Sequence, residues 1–270
     1  MISDITIGQY YKENSIVHRL DPRNKVLLTA VLMAMIFCCK NFISLAVVAV
    51  VLLVSIFFSK VPLKMFFKSL KSIVPIILFT ALLNLFYIKG GREWHFWILT
   101  VSEKGVYTAV FMAVRIVLLI VASSILTYTT VPTMLTDAIE KLLSPLKIFH
   151  ISVHSVAMMM TLALRFIPTL IEEIERITNA QKARGADFEN GKLTERIKSL
   201  IPVLVPLFVS SFKRAYDLAF AMSCRCYTGG EGRTRMKQMK FGIRDIFAVL
   251  FYVVSFSGII LSNNYFGALI

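Results

Sequence analysis

Long apolar runs alternate with short basic segments along most of this 270-residue chain. Charge-free runs cover 26–39, 41–59, 72–88 and 246–270, and the run 105–136 is interrupted only by Arg115. A helix needs roughly 20 apolar residues to cross the hydrocarbon core of a bilayer, because each residue advances it by about 1.5 Å. The pattern therefore predicts an all-α, polytopic membrane protein.

We place five transmembrane helices at about 24–40, 41–58, 72–88, 105–128 and 245–262. Two further apolar runs, 148–164 and 199–212, have a length that suits a core or interfacial helix as well as a span. Composition agrees with a membrane setting, since 57% of the residues are hydrophobic and the mean hydropathy is +0.71. A soluble domain with a wet surface is rarely so apolar.

The segment between the fourth and last spans has a different pattern. Residues 131–148 place apolar side chains at helical spacing, which predicts an amphipathic helix. Two longer helices are predicted at Ser152–Arg184 and Thr194–Tyr227, each apolar at its start and polar at its end. Thr194 is a good N-cap residue, and prolines at 202 and 206 predict a bend or break in the second long helix.

This pattern divides the chain into three segments. Residues 1–130 form an N-terminal membrane domain with four spans, 131–240 form a helical domain, and 241–270 form the last transmembrane helix. The helical domain would therefore be an insertion between the fourth and fifth spans.

The distribution of Lys and Arg predicts the orientation of the spans. Basic residues cluster before the first span, after the second span and within 131–244, and those of the first two groups are Lys12, Arg19, Arg23, Lys25, Lys60, Lys64, Lys68 and Lys71. Short cytoplasmic loops carry such an excess. We therefore expect the N-terminus and the inserted helical domain in the cytoplasm and the C-terminus outside, in the cell membrane.

The net charge of +14 is explained mostly by this topology. Nucleic-acid binding would require a basic face together with a recognisable binding fold, and the sequence has no such motif. We therefore expect the lipid bilayer, and no nucleic acid, as a partner.

The sequence lacks the chemistry of an intramembrane enzyme, because the apolar runs contain no Asp or Glu and no catalytic motif is present. His150 and His154 share a helical face but lack a third metal ligand, and the four cysteines lack zinc-site spacing. The stretch GGEGRT at 229–234 lacks the lysine and the preceding strand of a phosphate loop. We predict no enzymatic activity, no cofactor and no metal; a self-sufficient channel or carrier remains the alternative, with an intramembrane enzyme less favoured.

The candidate binding residues are two short arginine-centred motifs, Ala183-Arg184-Gly185 and Cys224-Arg225-Cys226. An arginine in the last turn of a helix is favoured by the helix dipole by about 0.3–1 kcal/mol and needs no partner. The small neighbours, however, leave space for another protein to close around a guanidinium, whose planar fork binds carboxylates or carbonyls. These six residues are our predicted partner-binding site.

Three stretches carry a resemblance to a known family: SIVHRLDPRNKVLL at 15–28, LRFIPTLIEEIERITNAQKARGADF at 164–188 and FAMSCRCYTGGEGRTR at 220–235. Together with the order of spans, they resemble the transmembrane T component of energy-coupling factor (ECF) transporters, the EcfT/CbiQ family of prokaryotic vitamin and metal importers. The second arginine motif of that family is more often Ala-Arg-Gly, whereas Cys-Arg-Cys stands here.

The resemblance implies a cytoplasmic coupling domain whose two long helices cross and dock into grooves on two ATP-binding cassette (ABC) ATPase subunits. It places Arg184 and Arg225 at the ATPase contacts. It also implies that the membrane domain holds a small substrate-binding subunit, so that the chain transmits ATP-driven movement to that subunit during uptake of a vitamin or metal ion.

Overall fold

The structure, a computed structural model, describes residues 10–88, 90, 93–96, 99–149, 152–186, 188, 193–229, 239 and 241–266. Its α-helices are α1 (Pro22–Cys38), α2 (Phe42–Ser59), α3 (Leu63–Tyr87), α4 (Glu103–Thr129), α5 (Pro132–Leu142), α6 (Val153–Ala183), α7 (Leu193–Cys224) and α8 (Ile243–Phe266). Strands β1 (Glu93–Phe96) and β2 (Leu99–Ser102) lie between α3 and α4, and a 3₁₀ helix, Ser144–Phe149, follows α5.

Within the described residues, five helices are long and apolar enough to cross a membrane, namely α2, α3, α4, α6 and α8. The predicted helical membrane fold is confirmed, but the members of this set differ from the predicted spans. The first predicted span corresponds to α1, which has 17 residues and falls just short of this length criterion. The ambiguous run 148–164 contributes instead to α6, whose first half is apolar enough to qualify.

The lysine-rich segment after α2 is mostly helical, whereas we expected a loop there. Helix α3 begins at Leu63 and continues for 25 residues, so that Lys64, Lys68 and Lys71 lie on its first turns. Lysine is a good helix former, and its long stem allows the ammonium group to reach water from a helix that enters the membrane. The loop is therefore shorter than the charge pattern suggested.

A short antiparallel hairpin connects α3 to α4 and was not predicted. Glu93 pairs with Ser102 and Phe96 pairs with Leu99, so that the two strands are in register over four residues. The α3 end lies against the start of α4, where a Cβ on Gly105 would lie 2.9 Å from the carbonyl oxygen of Leu85. Such close approach of two backbones explains the glycine at this position.

The chain divides into two compact units, the first of which comprises Gly8–Ala138 and Gln238–Ile270. In this unit α4 packs against α1, α2 and α3, and α8 packs against α1 and α2. The core side chains between them are almost fully buried, and they include Leu32, Met35, Ile36, Leu45, Val48, Leu52, Phe111, Ala122 and Ile259. The outward faces of α3 and α8 are also apolar, as expected of helices that face lipid.

The second unit includes Ile139–Lys237 and is built on α6 and α7, which pack against each other. Helix α7 starts at Leu193, so Thr194 lies inside it instead of capping it. Helix α7 continues through Pro202 and Pro206, so of the predicted bend or break the structure shows no break. The chain segmentation at 131 and 240 stays a prediction.

Candidate functional site

The first arginine motif ends α6 with a complete helix-termination motif. Arg184 is the C-cap residue, and Gly185 follows it with φ +90°. The Gly185 N–H donates to the Lys182 carbonyl at 3.0 Å, and the Ala186 N–H donates to the Gln181 carbonyl at 3.0 Å. These two bonds define a Schellman motif, which satisfies carbonyls that the end of a helix leaves without partners.

The second arginine motif ends α7 in the same way. Arg225 follows the last helical residue, and the Cys226 N–H donates to the Ser223 carbonyl at 2.9 Å. The Tyr227 N–H donates to the Met222 carbonyl at 3.1 Å, which completes the same pair of bonds. Cys226 has φ +55° and therefore adopts the left-handed conformation that glycine adopts at Gly185.

All six predicted site residues are solvent-exposed, including both arginines. In the part of the chain that the structure describes, neither the Arg184 nor the Arg225 guanidinium has a hydrogen bond or an ion pair. Each motif therefore presents a charged fork at an ordered helix end. The two motifs share local geometry, but the structure does not bring them together into one site.

Two contacts show how α6 and α7 lie side by side. Arg214 Nη2 donates to Glu173 Oε2 at 2.6 Å, and the Tyr227 hydroxyl donates to Met158 Sδ at 2.9 Å. Tyr227, just after the end of α7, contacts the early part of α6, whereas Arg214, earlier in the chain, contacts a later part of α6. The two helices are therefore antiparallel. The pair of arginine motifs therefore lies at opposite ends of the helix pair.

The Glu173–Arg214 ion pair lies midway between Arg184 and Arg225 along the helix pair. Arg184 lies 11 residues after Glu173, and Arg225 lies 11 residues after Arg214. At about 1.5 Å per residue, each arginine stands roughly 16 Å along its helix from the ion pair, in opposite directions. Sequence spacing alone did not indicate this relation, because it depends on which side chains meet between the helices.

The stretch SIVHRLDPRNKVLL at 15–28 forms a buried polar cluster with the start of α8, and no sequence pattern indicated this cluster. Asp245 Oδ1 accepts hydrogen bonds from the Asp21 N–H at 2.9 Å and from Asn24 Nδ2 at 3.3 Å. Its Oδ2 accepts from the Gly242 N–H at 2.8 Å. Asp245 is only 2% exposed, and these donors replace the water that its carboxylate loses. The bonds join the N-terminal ends of α1 and α8.

Lys25 and His18 extend this cluster towards α4. Lys25 Nζ donates to the His18 carbonyl at 3.1 Å and to the Thr129 carbonyl, at the end of α4, at 2.9 Å. His18 Nε2 donates to the Tyr11 carbonyl at 2.9 Å, and its Nδ1 accepts from Ser15 Oγ at 2.7 Å. Burial lowers the pKa of His18, and the nearby Lys25 charge lowers it further. The imidazole is thus held neutral in this network.

Arg115, the charge within the fourth predicted span, has a structural role. Its Nη2 donates to the Cys39 carbonyl at 2.5 Å, and its guanidinium carbon lies 4.7 Å from the centre of the Phe111 ring. A carbonyl bond and a cation–π contact compensate for part of the lost hydration. An arginine within a span can bind a partner subunit, bind a carbonyl of its own chain or extend towards water. Arg115 binds a carbonyl of its own chain.

Only one member of the histidine pair, His154, lies in the part of the chain that the structure describes. His154 Nδ1 lies 3.2 Å from Glu140 Oε1, but His150 lies outside the described residues. No group of three or more His, Cys, Asp or Glu side chains suited to a metal occurs in the described part of the chain. Most of GGEGRT, from Gly230 onwards, also lies outside it.

Fold and site together define a multi-pass membrane protein that presents two exposed, arginine-tipped helix ends. The family model described as cobalt transport protein (CbiQ) matches residues 13–236. An energy-coupling factor transporter transmembrane protein EcfT from Ruminiclostridium cellulolyticum is 47% identical over 98% of this chain and 100% of its own length. The EcfT protein from Clostridium kluyveri is 48% identical over 99% of this chain and 100% of its own length. The one from Streptococcus equi is 41% identical over 93% of this chain and 93% of its own length.

The chain belongs to the EcfT/CbiQ family, the transmembrane components of energy-coupling factor transporters. This membership confirms the predicted family, and it confirms a non-enzymatic transporter component, because the relatives are named as transporter transmembrane proteins. A channel or carrier that works alone is correspondingly disfavoured.

Proposed function

We propose that this chain is the coupling subunit of an ECF-type ABC importer. It transmits the movement of two cytoplasmic ATPase subunits to a small membrane substrate-binding subunit. The observation that carries this proposal is the pair of matched helix ends, in which Arg184 and Arg225 are both exposed and held by the same backbone motif.

The geometry of the helix pair suits attachment to two separate subunits. The arginines lie at opposite ends of the antiparallel pair, each about 16 Å from the Glu173–Arg214 ion pair. One compact partner would have difficulty reaching both ends, whereas two copies of a similar partner would each meet the same motif. A helix end in a groove gains affinity from apolar contact and orientation from a charged fork.

Ordered termini allow these contacts to transmit force. A Schellman motif fixes the residues that follow each helix, so Arg184 and Arg225 each start from a defined backbone. Closure of the ATPase subunits on ATP would displace both helix ends together. The packing of α6 against α7, to which the ion pair adds, would then make the two helices move together, and that movement would reach the substrate-binding subunit.

Topology and substrate complete the proposal. The distribution of basic residues supports a cytoplasmic location for the coupling segment, 131–240, with the N-terminus on the same side of the cell membrane. The substrate class is a micronutrient, either a vitamin or a metal ion, and the description of the matching family as cobalt transport protein is one instance. The chain itself would bind neither nucleotide nor a cofactor.

Affinity purification of the tagged full chain from its native membrane tests this function. We expect two ABC ATPase subunits and a small membrane protein to co-purify, and we expect ATP hydrolysis only when the ATPases are present. A monodisperse chain that purifies alone and transports a solute in vesicles would contradict the coupling function and support a carrier.

A further inference from the structure

An apolar cavity lies within the membrane unit, and none of its lining residues belongs to the arginine motifs. The cavity has a volume of about 470 Å³ and is lined by the N-terminal segment and by parts of α1, α2, α4 and α8. Its walls include Leu28, Leu126, Phe247 and Phe251. This volume lies within the range of small-ligand sites, which is about 300–1,000 Å³.

Hydroxyl groups in the wall are directed towards their own helices or one another. Thr29 Oγ1 donates to the Lys25 carbonyl at 2.8 Å, Thr129 Oγ1 to the Ile125 carbonyl at 2.7 Å, and Ser55 Oγ to the Val51 carbonyl at 2.8 Å. Because the Ser55 hydrogen is already used, the 3.4 Å contact with Tyr252 is donated by the tyrosine hydroxyl. The body of the cavity therefore offers few polar partners to water, and it favours an apolar occupant.

The mouth of the cavity is cationic. Arg244 lines it, is exposed and has no hydrogen bond or ion pair to any described residue. Lys25 also lines it but already donates to two carbonyls, and the carboxylates of Asp21 and Asp245 attract its charge. Arg244 is therefore the principal group for an anion, and Lys25 has one further N–H to offer.

The residues at the cavity mouth, including Lys25 and Arg244, lie at the helix ends on one side of the membrane unit. Lys25 is in the first turn of α1, Phe58 in the last turn of α2, Thr129 at the end of α4 and Arg244 at the start of α8. Along α8, the lining continues from Arg244 to Tyr252, which is roughly 12 Å into the membrane. The cavity thus starts at headgroup level, with its charge outermost and its apolar body deeper.

We propose that this cavity binds an anionic phospholipid, with one acyl chain in the apolar body and the phosphate at Arg244. Basic pockets between transmembrane helices are suited to anionic headgroups, and a guanidinium fork can bind two phosphate oxygens. A soluble anion would leave the apolar body unfilled. A zwitterionic lipid would place its own cation beside Arg244. The site is separate from the proposed ATPase contacts, so failure of either proposal leaves the other intact.

Native mass spectrometry of the full chain tests the proposal. The chain is purified in detergent, delipidated and mixed with phosphatidylglycerol or phosphatidylcholine of identical acyl chains. We expect one tightly retained phosphatidylglycerol per chain, favoured about fivefold over phosphatidylcholine, which corresponds to the attraction of one arginine near a membrane surface. Equal retention of the two lipids, or none of either, would overturn the proposal.

Two pairs of variants distinguish the contribution of the lipid headgroup to binding from that of the acyl chain. Arg244→Gln should abolish the preference for phosphatidylglycerol, whereas Arg19→Gln, which removes an exposed charge outside the cavity, should retain it. Ala248→Phe should fill the cavity and prevent retention, whereas Val249→Phe, on the neighbouring exposed position of α8, should not. If the Ala248→Phe variant is not monodisperse, Leu126→Phe, which fills the cavity from α4, is used in its place.

The cavity-filling variants also distinguish a lipid occupant from a helix of a partner protein. If cavity-filling variants retain lipid like their controls but fail to assemble with the co-purifying membrane protein, the occupant is a partner helix. That outcome would overturn the lipid proposal.

Discussion

Gly185 and Cys226 occupy the same position of the same helix-termination motif, one after each arginine. Gly185 has φ +90° and Cys226 has φ +55°, and each donates its N–H to the carbonyl three residues earlier. Cysteine in the second motif therefore adopts the same left-handed region and keeps the same two capping bonds as glycine in the first. A non-glycine residue in this region costs roughly 1–2 kcal/mol, which the two capping bonds offset.

This relation predicts opposite effects for reciprocal substitutions. Gly185→Ala should destabilise the end of α6 by about 1 kcal/mol, although no atom lies within 4 Å of the added Cβ, because the strain is in the backbone. Cys226→Gly should stabilise the end of α7 by up to about 1 kcal/mol, less the entropy that glycine adds to the unfolded chain. Amide hydrogen exchange at the last helical turns measures both.

A matched control is Gly258→Ala in α8. Gly258 also has open space around it, but its φ is not positive, so alanine should be neutral or favourable there. If Gly185→Ala and Gly258→Ala have equal effects, the left-handed cap does not account for the glycine.

The sequence was informative where one local signal sufficed. Apolar runs predicted the membrane fold, and the predicted end of the first long helix at Arg184 lies within one residue of the end of α6. The apolar half of α6 could not be assigned from length alone, because its run of about 17 residues suits a span or a core helix equally. The left-handed Cys226 gave no signal at all, since cysteine has no preference for that conformation. Asp245 was missed because its role depends on residues more than 220 positions away, such as Asp21.

The Glu173–Arg214 ion pair should couple α6 to α7 weakly but measurably. The Glu173 side chain is 18% exposed and that of Arg214 is 39% exposed, so water screens much of the attraction. We expect a coupling energy of about 0.5–1 kcal/mol, reduced by salt. A double-mutant cycle of Glu173→Gln and Arg214→Gln, followed by thermal unfolding in detergent, measures it.

The same pair tests whether the two helices must move together. Glu173→Arg combined with Arg214→Glu should restore uptake that either charge reversal alone reduces. Uptake that is unaffected by both single reversals would show that the ion pair has no part in coupling.

Acid should destabilise the N-terminal cluster through His18. Burial lowers the folded-state pKa of His18 below its ordinary value of 6.5, so the unfolded chain binds the proton more readily. Stability from this group is therefore fully present above about pH 6.5 and is lost as the pH falls towards the lower folded pKa, by at most about 1.4 kcal/mol per pH unit. Thermal unfolding from pH 7.5 to 5 should show this loss, and His18→Asn should flatten that part of the profile.

Thiol labelling tests the proposed orientation. In a chain with Cys38→Ala and Cys39→Ala, the exposed Cys224 and Cys226 should react with a membrane-impermeant reagent only in inside-out vesicles. A chain with alanine at all four native cysteine positions and Lys40→Cys should react only from the outside, since Lys40 is exposed in the α1–α2 connection. Labelling of both chains from the same side would mean that the assumed topology is wrong.

Charge reversal at the two helix ends tests the proposed ATPase contacts directly. Arg184→Glu or Arg225→Glu would place an unpaired anion in a closed groove at a cost of roughly 2–5 kcal/mol, so ATPase co-purification should weaken while membrane insertion persists. Alanine should be less harmful than glutamate at either position. Changing both should reduce assembly far more than either alone, because one attached arm keeps the other at high effective concentration.

Lysine distinguishes the kind of contact made by each arginine. A bidentate grip on a carboxylate or on carbonyls requires the planar fork and should fail in Arg184→Lys, whereas a simple charge contact should survive. Arg176→Glu, an exposed position eight residues earlier on α6, controls for the change in net charge and should assemble normally. If the double Arg184→Glu, Arg225→Glu chain assembles and transports like the parent at matched membrane levels, the arginines serve only their helix dipoles, and the proposed contacts are wrong.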